Sequence, residues 1–96
     1  MIMKQHTLHS SAMAPTFPCG AVVYAREIDP EIFVEWGEAY LLETVNGPIV
    51  SRLFPGKNQK YYLCTRDNAA QGYDPIDMPK NAVLGIYRVI GSAVMK

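Results

Sequence analysis

The dipeptide Asn46-Gly47 most limits how this chain can fold, because it separates two stretches rich in β-forming side chains. Asn-Gly is the preferred pair for a two-residue type I′ turn, in which both turn residues take positive φ. We therefore predict an antiparallel hairpin whose strands are residues 39–45 and 48–54.

Such a turn would fix the register of the hairpin, with Leu42 opposite Ser51. On one face, Glu43 and Arg52 lie close enough diagonally to form an ion pair. The other face is mostly apolar and is predicted to be buried, which places Ser51 among apolar neighbours. That face carries Tyr40, Leu42, Thr44, Ile49, Ser51 and Leu53.

Three further segments are rich in β-branched and aromatic residues and are predicted to be strands: residues 21–26, 60–65 and 82–95. Gly85 and Gly91 indicate bulges or bends within the long last strand. A helical periodicity persists nowhere beyond about ten residues. The chain is therefore predicted to have a mainly β fold, with a compact arrangement around the Asn-Gly hairpin and a long C-terminal strand.

Ninety-six residues predict one domain. Residues 1–11 are polar and are predicted to be a flexible N-terminal lead-in to a single domain over residues 12–96. A domain this small buries only about two thirds of its unfolded surface, so association with a second copy would help it.

Charge and cysteine content exclude several classes of function. Nine basic and nine acidic side chains cancel, and no basic run exceeds two residues, so direct nucleic-acid contact is not expected. The start has no secretory h-region and no stretch is apolar enough to span a membrane, which predicts a cytoplasmic protein with Cys19 and Cys64 as free thiols. His6, His9 and Cys19 do not form a known zinc spacing, so neither a metal nor another cofactor is expected.

Four blocks of the chain together resemble the C-terminal domain of LexA-like and phage-repressor-like serine peptidases, which are relatives of the signal peptidases. Ala12-Met13-Ala14-Pro15-Thr16 with Gly20 is similar to the family's S-M-x-P-T segment and its following glycine. The second block is residues 35–41, which lead into the hairpin, and the third is residues 49–56, which are similar to the family's V-K-R-L. The fourth block combines residues 65–68, 73–75 and 86–91 and is similar to the family's S-x-N-x-x-Y-x-P ending.

The resemblance implies a Ser–Lys dyad that is degenerate here. In the family a serine attacks a peptide carbonyl, and a desolvated lysine with a lowered pKa removes its proton. The serine position is Ala12 and the lysine position is Ser51, so both halves of the dyad are missing. Ser11, Met13, Pro15 and Arg52 would remain as the old cleft.

A catalytically inactive domain that dimerises within a phage-repressor-like transcriptional regulator is therefore the leading interpretation. The implied dimer interface lies in the C-terminal stretch, at Leu84, Ile86, Tyr87, Val89 and Ile90.

Two alternatives stay open. A rewired serine peptidase would use Ser10, Ser11 or Ser51 with His6 or His9 as base, although Ser11 is one residue out of phase with the lost nucleophile. A peptide-binding module would use the old cleft to capture an extended chain without cutting it.

Overall fold

The computed structural model describes residues 2–94, which form one seven-stranded antiparallel sheet. The mainly β prediction is confirmed, and the described residues contain no helix long and apolar enough to cross a bilayer. Two short 3-10 turns, Ala69–Gln71 and Lys80–Ala82, interrupt the strands. The strands are β1 (Met3–Thr7), β2 (Ala21–Glu27), β3 (Ala39–Thr44), β4 (Gly47–Pro55), β5 (Tyr61–Thr65), β6 (Ile76–Pro79) and β7 (Val83–Val94).

The strand order β1-β2-β7-β3-β4-β5-β6 places β7 inside the sheet, between β2 and β3. β2 pairs with residues 87–94 of β7, and β3 pairs with residues 83–88. The predicted last strand is confirmed as far as Val94, and Met95 lies outside the described residues.

Two of the strands, β1 and β6, were not predicted. We expected residues 1–11 to be a loose lead-in, but Met3–Thr7 pairs with β2 and Leu8 is buried. Both β1 and β6 are edge strands, whose side chains stay partly exposed and whose sequences can be polar or contain proline.

The hairpin forms, but its turn lies at Val45 and Asn46, so Thr44 is opposite Gly47. Gly47 has φ of +107°, and no described non-glycine residue has positive φ, which excludes a type I′ turn. The Thr44 hydroxyl accepts from the Asn46 N–H at 3.1 Å and donates to the Gly47 carbonyl at 2.7 Å, which holds this turn.

This register differs from the predicted one by two residues along β4, and a two-residue shift keeps every side chain on its face. Leu42 therefore lies opposite Ile49, and Ser51 lies opposite Tyr40 on the buried side. The predicted pairing of Glu43 with Arg52 is wrong, since Glu43 pairs with Lys4 and Arg52 with Asp67.

Side chains on the two faces of the sheet form two separate cores. The first core comprises Leu8, Met13, Ala21, Val23, Ala25, Leu41, Val50 and Tyr87. The second core comprises Tyr40, Leu42, Leu53, Tyr62, Cys64 and Ile86. β3 and β4 contribute to both cores because their successive side chains alternate between the faces.

Candidate functional site

The segment between β1 and β2 carries Ala12, the position that the family resemblance assigns to the nucleophile, and is held by local and distant hydrogen bonds. Its own turns are closed by Ala14 N–H donating to Ser11 O at 3.0 Å and Phe17 N–H donating to Met13 O at 2.9 Å. Asn68, from the loop after β5, donates its side-chain amide to Ser11 O at 3.0 Å and its backbone N–H to the next carbonyl, Ala12 O, at 2.9 Å. Asn68 thus fixes the backbone at both residues.

A partly buried ion pair is also connected to this segment. Arg52 on β4 donates from Nε and Nη2 to the two carboxylate oxygens of Asp67, at 2.8 and 3.0 Å, and from Nη1 to Gly37 O at 2.8 Å. The Thr16 hydroxyl also donates to Asp67. Arg52 holds the pKa of the Asp67 carboxyl below its usual range, with a smaller contribution from Thr16.

Among the expected cleft residues, Arg52 and Met13 have structural contacts. Arg52 belongs to the ion pair, and Met13 is almost fully buried in the first core. Ser11 is half-buried and accepts the Asn68 hydrogen bond through its carbonyl, while Pro15 is exposed. The segments that carry Ala12, Arg52 and Asn68, which come from three of the four sequence blocks, therefore meet in space.

Ala12 lines a cavity of about 290 Å³. The cavity lies against first-core residues at the end of the sheet where β1 and the hairpin approach each other. Its lining residues are His6, Leu8, His9, Ser10, Ala12, Met13, Pro48, Ile49, Val50 and Arg66.

Ser51 lies elsewhere. Its side chain is fully buried on the second-core face, opposite Tyr40, and its hydroxyl has no hydrogen-bond partner among residues 2–94. Burial raises the pKa of the Cys64 thiol on the same face.

The two dyad positions are therefore not brought together. Val50 lines the cavity beside Ala12, and its neighbour Ser51 points to the opposite face because side chains alternate along a strand. Ala12 offers no hydroxyl, and the hydroxyl of Ser51 is sealed in apolar surroundings. Neither a nucleophile nor a base occupies the expected positions.

The rewired-peptidase alternative needs Ser10, Ser11 or Ser51 beside His6 or His9. Ser10 is exposed, and its hydroxyl accepts a long 3.4 Å hydrogen bond from Ala12 N–H. His6 and His9 approach each other edge to face, with ring centroids 6.2 Å apart, and within residues 2–94 neither ring is hydrogen-bonded to Ser10. Burial, followed by the charge of His9, lowers the pKa of His6, and Glu43 opposes the shift.

The expected dimer residues divide between core and surface. Ile86 and Tyr87 are buried inside the monomer and Val89 packs against the first core, so these three do not form an exposed patch. Leu84 and Ile90 are 70% and 52% exposed. Each is the extra residue of a β-bulge in β7, directly before Gly85 and Gly91, as the two glycines predicted.

Sequence reasoning did not identify Arg66 as a cavity residue. The sequence gives little indication of this role, because a single arginine after a strand is usually solvated. Only the fold brings Arg66 to the same cavity as His6, His9 and Ala12.

Comparison with family models, with curated proteins and with solved structures finds no match.

Proposed function

We propose that this chain is a catalytically inactive LexA-like or phage-repressor-like domain that works through protein association, most directly as a homodimer. The absence of a nucleophile at Ala12 and the sealed position of Ser51 support the inactive state. The meeting of the Ala12, Arg52 and Asn68 segments supports the family-type architecture, because the blocks that resemble the family are those that contact one another.

Exposed apolar side chains on three adjacent strands carry the association proposal. Met3 on β1, Tyr24 on β2 and Ile90 on β7 are all large and exposed, and Gly91 lies directly opposite Tyr24. Apolar surface of this kind is stabilised when a partner covers it. In a closed twofold dimer the same patch from two copies would meet itself.

The dimer is tested by light scattering over a concentration series. We expect a dimer for the wild-type chain and a monomer for Ile90→Asp at the same concentrations. Ile32→Asp is the matched control, because Ile32 is 80% exposed in the loop after β2 and lies outside the patch. A wild-type monomer at every concentration would overturn the dimer. Equal effects of the two substitutions would mean that the dimer interface lies outside the patch of Met3, Tyr24 and Ile90.

In a transcriptional regulator, DNA contact would then come from another segment or another chain, since the charge of this domain is balanced.

The proposed lack of catalytic activity is tested separately. A fluorophosphonate probe should leave the protein unlabelled under conditions that label an active serine hydrolase, and labelling that Ser10→Ala abolishes would establish a rewired peptidase instead.

A second candidate function is peptide binding without cleavage, and the cavity beside Ala12 favours it. The cavity is open to the surface at the exposed residues His9 and Ser10, and its inner wall is formed by the first core. A titration of the chain with short apolar peptides, followed by amide chemical shifts around Ala12, tests this function.

A further inference from the structure

The cavity beside Ala12 has an unusual charge balance for a protein whose net charge is zero. Its lining contains one arginine, Arg66, two histidines and a serine, but no aspartate or glutamate. Every ionisable group that lines it can therefore only be positive or neutral. A cavity of this composition attracts an anion by electrostatics and by hydrogen-bond donation.

Arg66 is held by neutral groups. Its Nη2 donates to the carbonyl of Asp74 at 2.8 Å, and its guanidinium lies 5.5 Å from the centre of the Tyr73 ring. Its Nε is buried and has no hydrogen-bond partner within the part of the chain that the structure describes. No carboxylate of residues 2–94 forms a salt bridge with it. Arg66 is therefore a cation without a carboxylate partner in the described part of the chain, and a guanidinium is well suited to pair with a carboxylate.

The opposite wall of the cavity is apolar. Leu8, Met13 and Val50 belong to the first core and are buried, and Ala12 adds a small methyl group rather than a hydroxyl. The volume of about 290 Å³ lies at the lower limit of the roughly 300–1,000 Å³ typical of ligand pockets. A cavity of this size accommodates one terminal residue rather than a long segment.

We propose that this cavity binds the C-terminal carboxylate of a peptide that ends in a small apolar residue. Arg66 pairs with the carboxylate, His6, His9 and Ser10 donate hydrogen bonds at the open side, and the terminal side chain packs against Met13 and Val50. The proposal rests on the peptide-binding function proposed above and adds the chemical group that is recognised.

Calorimetric titration with two matched peptides tests the proposal. The first is N-acetyl-Ala-Ala-Val with a free C-terminal carboxylate, and the second is the same peptide as its C-terminal amide. We expect the free acid to bind at least tenfold more tightly. Equal affinities would overturn carboxylate recognition while leaving peptide binding intact, and no binding of either peptide would overturn both proposals.

Variants of Arg66 assign the recognition to this residue. Arg66→Gln should abolish the preference for the free acid, whereas Arg66→Lys should keep part of it because the positive charge remains. Arg26→Gln, at an exposed arginine on β2 outside the cavity, is the matched control and should bind as the wild type does. An unchanged preference in folded Arg66→Gln would overturn the assignment. The affinity of N-acetylvaline is measured separately. If it equals that of the tripeptide acid, the site recognises small carboxylic acids rather than the end of a peptide.

Discussion

Replacing Ser51 with lysine, the residue that the family resemblance assigns to this position, tests both the alignment of the dyad and the burial of the site. Ser51 is fully buried opposite Tyr40, on the face that holds the second core. A lysine there would bring an amine and a longer side chain into a space already filled by apolar groups. We expect Ser51→Lys to destabilise the fold strongly at neutral pH.

The magnitude follows from the cost of keeping that amine neutral. If burial lowers the lysine pKa from about 10.4 to below 7, deprotonation at pH 7 costs about 4–5 kcal/mol. Overpacking adds about 1–3 kcal/mol. A domain of 96 residues has a total stability of about 5–15 kcal/mol, so the variant would be close to unfolding at pH 7.

The loss should also depend on pH with a definite sign. Between the folded and unfolded pKa values of the lysine the unfolded chain binds more protons, so the stability of the variant relative to the wild type rises with pH. The gain is at most about 1.4 kcal/mol per pH unit up to about pH 10. Urea unfolding followed by circular dichroism at pH 7 and pH 9.5 measures it.

Ser51→Ala is the matched control. It removes a hydroxyl that has no hydrogen-bond partner among residues 2–94, so its stability should stay within about 1 kcal/mol of the wild type at both pH values. The reasoning would be refuted by a Ser51→Lys variant that loses less than about 1 kcal/mol and shows no pH dependence. That result would mean that the amine reaches solvent or the cavity beside Ala12.

Three further substitutions test the contacts that hold the candidate site. Asp67→Asn should destabilise the fold by about 1–2 kcal/mol at pH 7 through loss of the charged pair with Arg52. Because the pKa of Asp67 is lower in the folded state than in the unfolded state, the stability difference between the wild type and Asp67→Asn is present above about pH 4. It disappears as the pH falls through the folded pKa, and acid unfolding of the wild type and the variant measures it. Asn68→Ala removes the hydrogen bond to Ser11 O and should cost about 1 kcal/mol in urea unfolding, with faster amide exchange confined to the segment after β1. Gly47→Ala forces a side chain into positive φ and should lower stability by about 1 kcal/mol, and an unchanged melting temperature would contradict the turn described here.

The sequence was sufficient to predict those elements whose signals are local. The hairpin, the buried face of Ser51 and the bulges before Gly85 and Gly91 follow from turn chemistry and from the alternation of side chains. The exact turn was not predicted, because Asn-Gly also suits a turn in which only the glycine takes positive φ.

Features that depend on long-range pairing could not be predicted in the same way. Met3–Thr7 has a polar sequence, and only its pairing with β2 makes it a strand. The cavity joins His6 with Arg66, sixty residues apart in the chain, and no spacing rule connects them. The interior position of β7 likewise depends on the order of the strands, and with it the burial of Ile86 and Tyr87.

We propose binding rather than catalysis at the cavity beside Ala12. A serine–lysine peptidase needs a hydroxyl and a neutral amine on the same side of the sheet, within hydrogen-bond reach of each other. Here Ala12 lies beside Val50 on one side of β4, and the side chain of Ser51 lies on the other side, so a hydroxyl introduced at position 12 would not have position 51 beside it. Arg66 cannot serve as that base, because a guanidinium stays protonated in proteins. The lining of the cavity combines the positive charge of Arg66 with apolar side chains, and such a combination can hold a ligand without altering any of its bonds.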